Sequence, residues 1–137
     1  MGFYYRVLGA LIVRVEAEVY PTESPEKVLE AVKRIFPKIG FEVRWGDSSA
    51  FVEGVDEGLE ALENFKRLLR ERRVRAAARS ILRSSIRDGV LVFYLDKQAA
   101  YAGKASFTEP FVESPLPPIV VRVEAEDLDE IIRWLTE

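Results

Sequence analysis

The sequence contains no cysteine and no histidine, and these two absences remove several classes of chemistry. Without cysteine the chain forms neither a disulfide nor a thiolate nucleophile. Without histidine it lacks the commonest metal ligand and the side chain that most often transfers protons near neutral pH. Zinc sites, thiol proteases and Ser-His-Asp triads are therefore excluded, and we expect neither a metal nor a cofactor.

The sequence also lacks a hydrophobic run long enough for a transmembrane helix, which needs about 20 apolar residues in succession. The most apolar stretch is the N-terminal MGFYYRVLGALIVRVEAEVY, and Arg6 and Arg14 interrupt it. No small-residue cleavage site follows a clean apolar segment, so a secretory signal is not indicated either. We therefore expect a cytoplasmic protein with no membrane partner.

The length and composition indicate one domain over residues 1–137, because 48% of the residues are hydrophobic and 31% are charged. Residues 41–45 and 50–55 form a predicted hairpin at the Gly46-Asp47-Ser48 turn. The unbroken apolar run over 90–95 is typical of a central strand that is covered on both faces. Further strands are predicted at residues 12–20, 105–107 and 119–125.

Apolar residues at helical spacing predict several helices, two of which have clear start signals. Ser24 and Pro25 mark the N-terminus of one helix, and Asp127 marks that of the last helix. Between them, residues 59–69 and 74–82 have helical periodicity, either as two helices or as one bent helix. The order of these strands and helices predicts an α+β domain.

Positive charge is concentrated in one stretch, residues 66–87. This stretch holds nine basic residues and one acid, Glu71, for a local charge of +8, although the whole chain has a net charge of −3. The remaining residues therefore carry −11. Eight of the nine basic residues are arginine, whose planar guanidinium binds phosphate through two hydrogen bonds and stacks on bases.

A helical wheel over residues 72–87 places the arginines on one arc, opposite the apolar residues. The arginines of this arc are Arg72, Arg75, Arg79, Arg83 and Arg87. Arginines four residues apart repel one another, so a helix that only faces solvent would normally mix charges of both signs. The pattern indicates a site for polyanions. Two interpretations stay open beside it, namely a solubilising face and a face that pairs with acidic strands of the same domain or of a second subunit.

The segment DKQAAYAGK, residues 96–104, is predicted to be a loop and a second contact surface. Lys97 and Lys104 offer phosphate contacts, and Gln98 offers an amide for a base edge. The ring of Tyr101 is a surface on which a base can stack. The alternative interpretation of this segment is a polar hairpin with Tyr101 half-buried.

No arrangement of residues indicates catalysis, so we expect a protein that is not an enzyme. GKAS at residues 103–106 is similar to the end of a phosphate-binding loop, but the first glycine and the last Ser or Thr of that motif are missing. The acidic pair Glu16 and Glu18 is explained by the solvated face of a strand. The serines between residues 80 and 85 have no evident neighbouring base.

Four segments carry a likeness to a known family: EVYPTESPEKVLEAVKRIFP, LENFKRLLRERRVRAAARSIL, FYLDKQAAYAGKASF and ESPLPPI. Together they resemble an uncharacterised archaeal family of predicted RNA-binding domains, whose fold is similar to that of the large-subunit ribosomal protein L-five. The resemblance implies an archaeal cytosolic RNA-binding domain with helices packed on a largely antiparallel, ribosomal-protein-like sheet. It adds no catalytic residue. Contact candidates carry over by position at Arg72, Arg75, Arg79 and Arg83.

The leading hypothesis is a non-catalytic domain that binds structured RNA through the arginine-rich helix face. RNA is then the expected partner. The alternative is a protein-interaction or self-assembly domain whose basic helix docks on an acidic surface, such as the strand that carries Glu16 and Glu18. Whether the protein forms a homo-oligomer is left open by both hypotheses.

Overall fold

A sheet and a layer of helices on one of its faces make up the fold, and the computed structural model describes residues 11–110 and 116–137. No helix in these ranges is long and apolar enough to cross a bilayer. The strands are β1 Ile12–Val19, β2 Phe41–Trp45, β3 Ala50–Glu57, β4 Ile86–Arg87, β5 Val90–Leu95, β6 Phe107–Thr108 and β7 Ile119–Glu124. The helices are α1 Pro25–Ile35, α2 Glu63–Glu71, α3 Arg75–Ser84, α4 Lys97–Tyr101 and α5 Leu128–Leu135.

The described strands pair antiparallel in the order β2-β3-β1-β7-β5-β4, and β6 also pairs with β5. The register places Val15 opposite Val121 of β7 and Gly54 of β3, so buried side chains of adjacent strands share one face. Helical residues such as Leu82 and Ile131 belong to the same buried cluster. The α+β class with an antiparallel sheet, predicted from the sequence, is confirmed.

Both predicted helix starts are confirmed by their capping hydrogen bonds. The Ser24 hydroxyl accepts a hydrogen bond from the N–H of Lys27 at 3.4 Å, and Pro25 occupies the first turn of α1. The Asp127 carboxylate accepts one from the N–H of Glu130 at 3.1 Å. Such local signals are readable from sequence because cap and helix lie within four residues of each other.

Two sequence predictions about the region after residue 85 are wrong. The segment predicted as a loop at 96–104 begins with α4, because the Asp96 carboxylate caps that helix by accepting from the N–H of Ala99 at 2.8 Å. β5 is buried on one face only, since Leu91, Phe93 and Leu95 are buried and the residues between them are half-buried. The segment ESPLPPI, which carries part of the family resemblance, begins outside the described residues.

Helix α2 is held on the sheet by Phe65, which is fully buried. Its ring stacks on that of Phe93 in β5 at a centroid distance of 5.3 Å and contacts the rings of Phe36 and Phe107 at 5.8 and 6.1 Å. Aromatic contacts of this kind add to the free energy of burial and restrict orientation. The packing of Phe65 therefore fixes the position of α2, which carries the first of the basic residues.

The basic stretch contains two helices, which answers the question that periodicity left open. α2 ends at Glu71, and Arg73 adopts a left-handed conformation with φ of 55° before α3 begins at Arg75. A left-handed residue commonly ends a helix, although glycine is the usual occupant. The break interrupts the helical repeat and so changes which arginines lie together.

Candidate nucleic-acid interface

The five arginines of the predicted arc do not lie on one helix. Arg75, Arg79 and Arg83 belong to α3, whereas Arg72 precedes the helix and Arg87 lies in β4. The wheel assumed a continuous helix over residues 72–87, and that assumption is wrong because the chain breaks at residue 73 and leaves the helix after residue 84.

The side chain of Arg79 binds the C-terminus of α5. Its Nε donates to Thr136 Oγ1 at 2.9 Å, and its Nη2 donates to the Thr136 carbonyl at 3.0 Å. The carbonyl groups that end a helix lack partners within it, and a cation there also interacts favourably with the helix dipole. Arg79 is half-buried, so its part is to join α3 to α5.

Replacing Arg79 with alanine is expected to lower the free energy of unfolding by about 1.5–3 kcal/mol, because hydrogen bonds from a charged donor are lost at a partly buried site. Urea unfolding measures the change. Arg83→Ala is the matched control on the same helix: its 3.6 Å ion pair with Asp129 is exposed, so a loss of no more than about 0.5 kcal/mol is expected. Equal losses in the two variants would contradict the capping role.

The remaining predicted arginines are exposed and bind mostly main-chain oxygens. Arg75 Nη1 donates to the main-chain oxygen of Glu137 at 2.9 Å, and Arg87 Nη1 donates to the carbonyls of Ser84 and Ile86 at 2.8 and 2.9 Å. The two peptide carbonyls orient the Arg87 guanidinium without neutralising it. The positive charge of Arg87 is therefore available to a ligand.

The densest group of exposed arginines surrounds the break between α2 and α3. We call it the arginine junction, and its members are Arg70, Arg72, Arg73 and Arg75. The single acid of the stretch, Glu71, forms an ion pair with Arg67 one turn earlier in α2. No side-chain carboxylate among the described residues pairs with the junction arginines. The N-terminus of α3 begins here with no side-chain cap and no acid in its first turn.

Lys97, predicted as a phosphate contact, is in the interior. Only 4% of its surface is exposed. Its Nζ donates to the Glu18 carbonyl at 2.6 Å and to both carboxylate oxygens of Glu23 at 3.1 Å. Burial lowers the pKa of Lys97, although the hydrogen bond and charge of Glu23 oppose that shift. Because its three donors are occupied, Lys97 is unsuited to contact RNA.

Gln98, Tyr101 and Lys104 are exposed, as the predicted contact surface requires. Gln98 and Tyr101 line a groove of about 420 Å³ between α4 and the N-terminal half of α1, where Lys27 stands opposite them. Tyr101 is 43% exposed. The guanidinium of Arg34, in α1, lies 5.7 Å from the centre of the Tyr101 ring. The groove is thus lined by this ring, the Gln98 amide and Lys27, together with the buried Glu23–Lys97 ion pair.

The arginine junction and the α4 surface adjoin each other. Arg72 Nη1 donates to the carbonyl of Ala105 at 3.4 Å, and Ala105 follows Lys104 directly. The sequence could not establish this proximity because the two segments are 33 residues apart. This contact places the segment after α4 next to the arginine junction.

The acidic strand residues lie on the other side of the sheet. Glu16 and Glu18 alternate with the buried residues of β1, and Glu16 lies opposite Glu53 of β3. α3 lies on the buried face, where Ala78 and Leu82 join the core. Pairing of the basic helix with this strand inside one molecule, which the sequence left open, is therefore excluded. Between two molecules it stays an alternative.

Sequence reasoning missed Arg70 and Arg73 as candidates. Arg73 was not among the five arginines assigned to the arc, and Arg70 lay before the first residue of the wheel. Neither glycine nor proline marks the break at residue 73, so the sequence carries no ordinary signal for it. It also missed Lys27 and Arg34, since nothing in the local pattern brings α1 next to α4.

Comparison with known proteins identifies relatives of this chain. A family model described as RNA binding matches residues 12–125. A UPF0201 protein of Methanothermobacter thermautotrophicus is 41% identical, over 90% of this chain and 89% of its own length. A UPF0201 protein of Metallosphaera sedula is also 41% identical, over 88% of this chain and 84% of its own length.

A solved structure agrees in fold as well. The crystal structure of a UPF0201 protein from Methanococcus jannaschii has a TM-score of 0.82 and 32% identity to this chain, and the alignment covers 92% of this chain and 99% of that one. The archaeal relatives and the family description confirm the family that the sequence segments resemble, and they support a general RNA-binding role. The chain therefore belongs to the archaeal UPF0201 family, and it matches a family model described as RNA binding.

Proposed function

We propose that this protein is a non-catalytic module that binds structured RNA, with the arginine junction as its main phosphate-binding surface. One observation carries the proposal: four exposed arginines surround a helix break, and no side-chain carboxylate of the described residues pairs with them. The RNA-binding description of the family supports the same role. Guanidinium groups bind phosphate oxygens in pairs of hydrogen bonds, so a cluster of them suits a chain of phosphates.

The helix that begins at the junction adds to its positive potential. The first N–H groups of a helix lack partners and form the positive end of the helix dipole, where an acidic side chain is normally favourable. In α3 the first residue is Arg75 and the first turn holds no acid. The positive end of the helix dipole therefore repels the Arg75 guanidinium instead of attracting a carboxylate. A bound phosphate would relieve this repulsion.

The α4 surface supplies contacts of a different kind. Lys104 adjoins Arg72 and extends the phosphate-binding area toward α4. Tyr101 offers a ring on which an unpaired base can stack, and the Gln98 amide can bind a base edge. Structured RNA presents both helical phosphates and unpaired bases, which is why we propose it over a uniform single strand.

Titration of a labelled RNA hairpin with an unpaired loop, at several salt concentrations, tests the proposal. Contacts from four arginines and Lys104 release counterions, so the logarithm of the association constant should fall against the logarithm of salt with a slope of about −3.5 to −4.5. Fluorescence anisotropy measures the affinity. No binding at low salt, or an affinity that does not change with salt, would contradict the proposal.

Light scattering over the same salt series separates RNA binding from the alternative function. If the basic helix docks on the acidic sheet face of another copy, the protein alone should form assemblies that dissociate as salt rises, because exposed charges are screened. Such assemblies, together with an absence of RNA affinity, would favour the protein-interaction function over the one proposed.

A further inference from the structure

β2 forms one edge of the sheet, and it differs from the opposite edge in being continuous. The opposite edge consists of β4 and β6, which have two residues each and pair with different parts of β5. β2 has five residues, contains no proline, and pairs only with β3 among the described strands. Proteins usually protect an exposed edge with short strands, proline or inward-facing charges. Among the described strands, the outer edge of β2 thus remains unpaired.

The hydrogen bonds of the β2–β3 hairpin decide which main-chain groups of β2 face this edge. The N–H of Gly46 donates to the carbonyl of Ser49 at 2.8 Å. Bonded and non-bonded pairs alternate along an antiparallel ladder, so Glu42 and Arg44 bond to β3. The N–H and C=O groups that point away from the sheet are those of Phe41, Val43 and Trp45.

The sequence of β2, FEVRW, is self-complementary when two copies pair antiparallel about Val43. Glu42 then faces the partner's Arg44, and Phe41 faces the partner's Trp45. In this register the outward-pointing N–H and C=O groups of one copy face the outward-pointing groups of the other copy. Pairing about Glu42 or Arg44 would instead place like charges opposite each other on the axis, which is destabilising. A shift by one residue would pair outward groups with groups already bonded to β3.

Two side chains of β2 gain partners in this arrangement. Glu42 lies opposite Glu53 in β3, while Glu53 accepts a hydrogen bond from Arg44 at 2.7 Å. Glu42 itself has no cationic partner among the described residues, and a second copy would provide one. Trp45 is 73% exposed, and contact with the partner's Phe41 would cover it. Tryptophan is enriched at protein interfaces.

We propose that β2 is the interface of a two-fold symmetric dimer, in which the sheets of two copies join edge to edge about Val43. The same residues of both copies form such an interface, so it closes at two subunits. Main-chain hydrogen bonds provide most of the attraction, and the two Glu42–Arg44 pairs select the register. This inference is independent of RNA binding, because the arginine junction lies outside β2.

Sedimentation equilibrium across a range of protein concentrations tests the dimer with three proteins. The unchanged protein should reach twice the monomer mass. Glu42→Arg should raise the dissociation constant roughly tenfold or more, since two attractive pairs become repulsive. Its monomer should remain folded because position 42 faces Glu53. Glu42→Arg/Arg44→Glu should restore the dimer by exchanging the charges.

Each contrary result would overturn the proposal. A monomer at all concentrations would exclude the dimer, and assemblies that grow beyond two subunits would indicate a different interface. Failure of the charge exchange to restore association would exclude this register. Val43→Pro provides an independent variant: its N–H faces the open edge, where proline is tolerated in a strand, so circular dichroism should show a folded protein that no longer dimerises. A dimer of undiminished affinity would count against the proposal.

Discussion

Replacing Lys97 with methionine is expected to lower the free energy of unfolding by about 3–5 kcal/mol. The ammonium of Lys97 and the carboxylate of Glu23 are both nearly inaccessible to solvent, at 4% and 9% exposed side-chain surface. Removing the cation leaves the Glu23 carboxylate buried without its partner, which is far more costly than removing both charges. Urea unfolding followed by circular dichroism measures the loss.

The double variant Lys97→Met/Glu23→Leu is the control for this effect. A buried ion pair can often be replaced by apolar side chains at little net cost, so most of the lost stability should return. A small part of the lost stability should not return, because the Glu18 carbonyl, which accepts from Lys97 at 2.6 Å, has no such donor in either variant. A double variant as unstable as Lys97→Met would show that the ion pair is not the cause.

The pH dependence of stability provides a second measure of the same site. Burial lowers the pKa of Lys97 below its ordinary value of 10.5. Between the lowered pKa and 10.5 the unfolded chain binds more protons than the folded one, so the contribution of Lys97 to stability rises with pH in that window. The difference in unfolding free energy between the unchanged protein and Lys97→Met should widen as pH rises toward 10.5.

Replacing all four arginines of the arginine junction with glutamine is expected to weaken RNA binding roughly a thousandfold, at about 1 kcal/mol for each lost contact. The salt slope should become shallower by about 3–4, since each phosphate contact accounts for nearly one unit. Glutamine keeps the helix propensity of arginine, so the fold should be retained. Anisotropy titration with the same hairpin RNA measures both quantities.

A matched pair of double variants separates a local contact from an effect of net charge. Arg70→Gln/Arg73→Gln and Arg14→Gln/Arg122→Gln each remove two exposed arginines that have no ion pair among the described residues. Arg14 and Arg122 face each other on the open side of the sheet. The variant Arg70→Gln/Arg73→Gln should bind RNA about thirtyfold more weakly. The variant Arg14→Gln/Arg122→Gln should change the affinity little at physiological salt. Equal losses would show that the junction is not the contact surface.

The local concentration of positive charge bears on how RNA would approach. The open side of the sheet mixes Glu16, Glu18 and Glu53 with Arg14 and Arg122, whereas the arginine junction on the helix side has no paired side-chain carboxylate among the described residues. A local cluster of one sign orients a polyanion before contact, even though the protein as a whole carries a net charge of −3. An acidic chain can therefore bind RNA on one side.

Sequence alone was sufficient for features that depend on neighbours within a few residues. The helix starts at Ser24 and Asp127 were predicted because a cap and its helix are adjacent in the chain, and β1 was predicted because a half-exposed strand alternates. The excess of arginine between residues 66 and 87 and the absence of cysteine and histidine are also properties of sequence. They limit the chemistry without specifying which side chains are free.

Only the tertiary structure decided which basic groups are free to bind a ligand. Arg79 bonds to Thr136 across 57 residues, and Lys97 bonds to the Glu18 carbonyl across 79 residues. A wheel or a periodicity argument includes no contacts at such separations. Arg73 ends one helix in a left-handed conformation that no glycine or proline announces. Local sequence thus determined where arginine is abundant, and long-range contacts determined which arginines have partners inside the fold and which are exposed together.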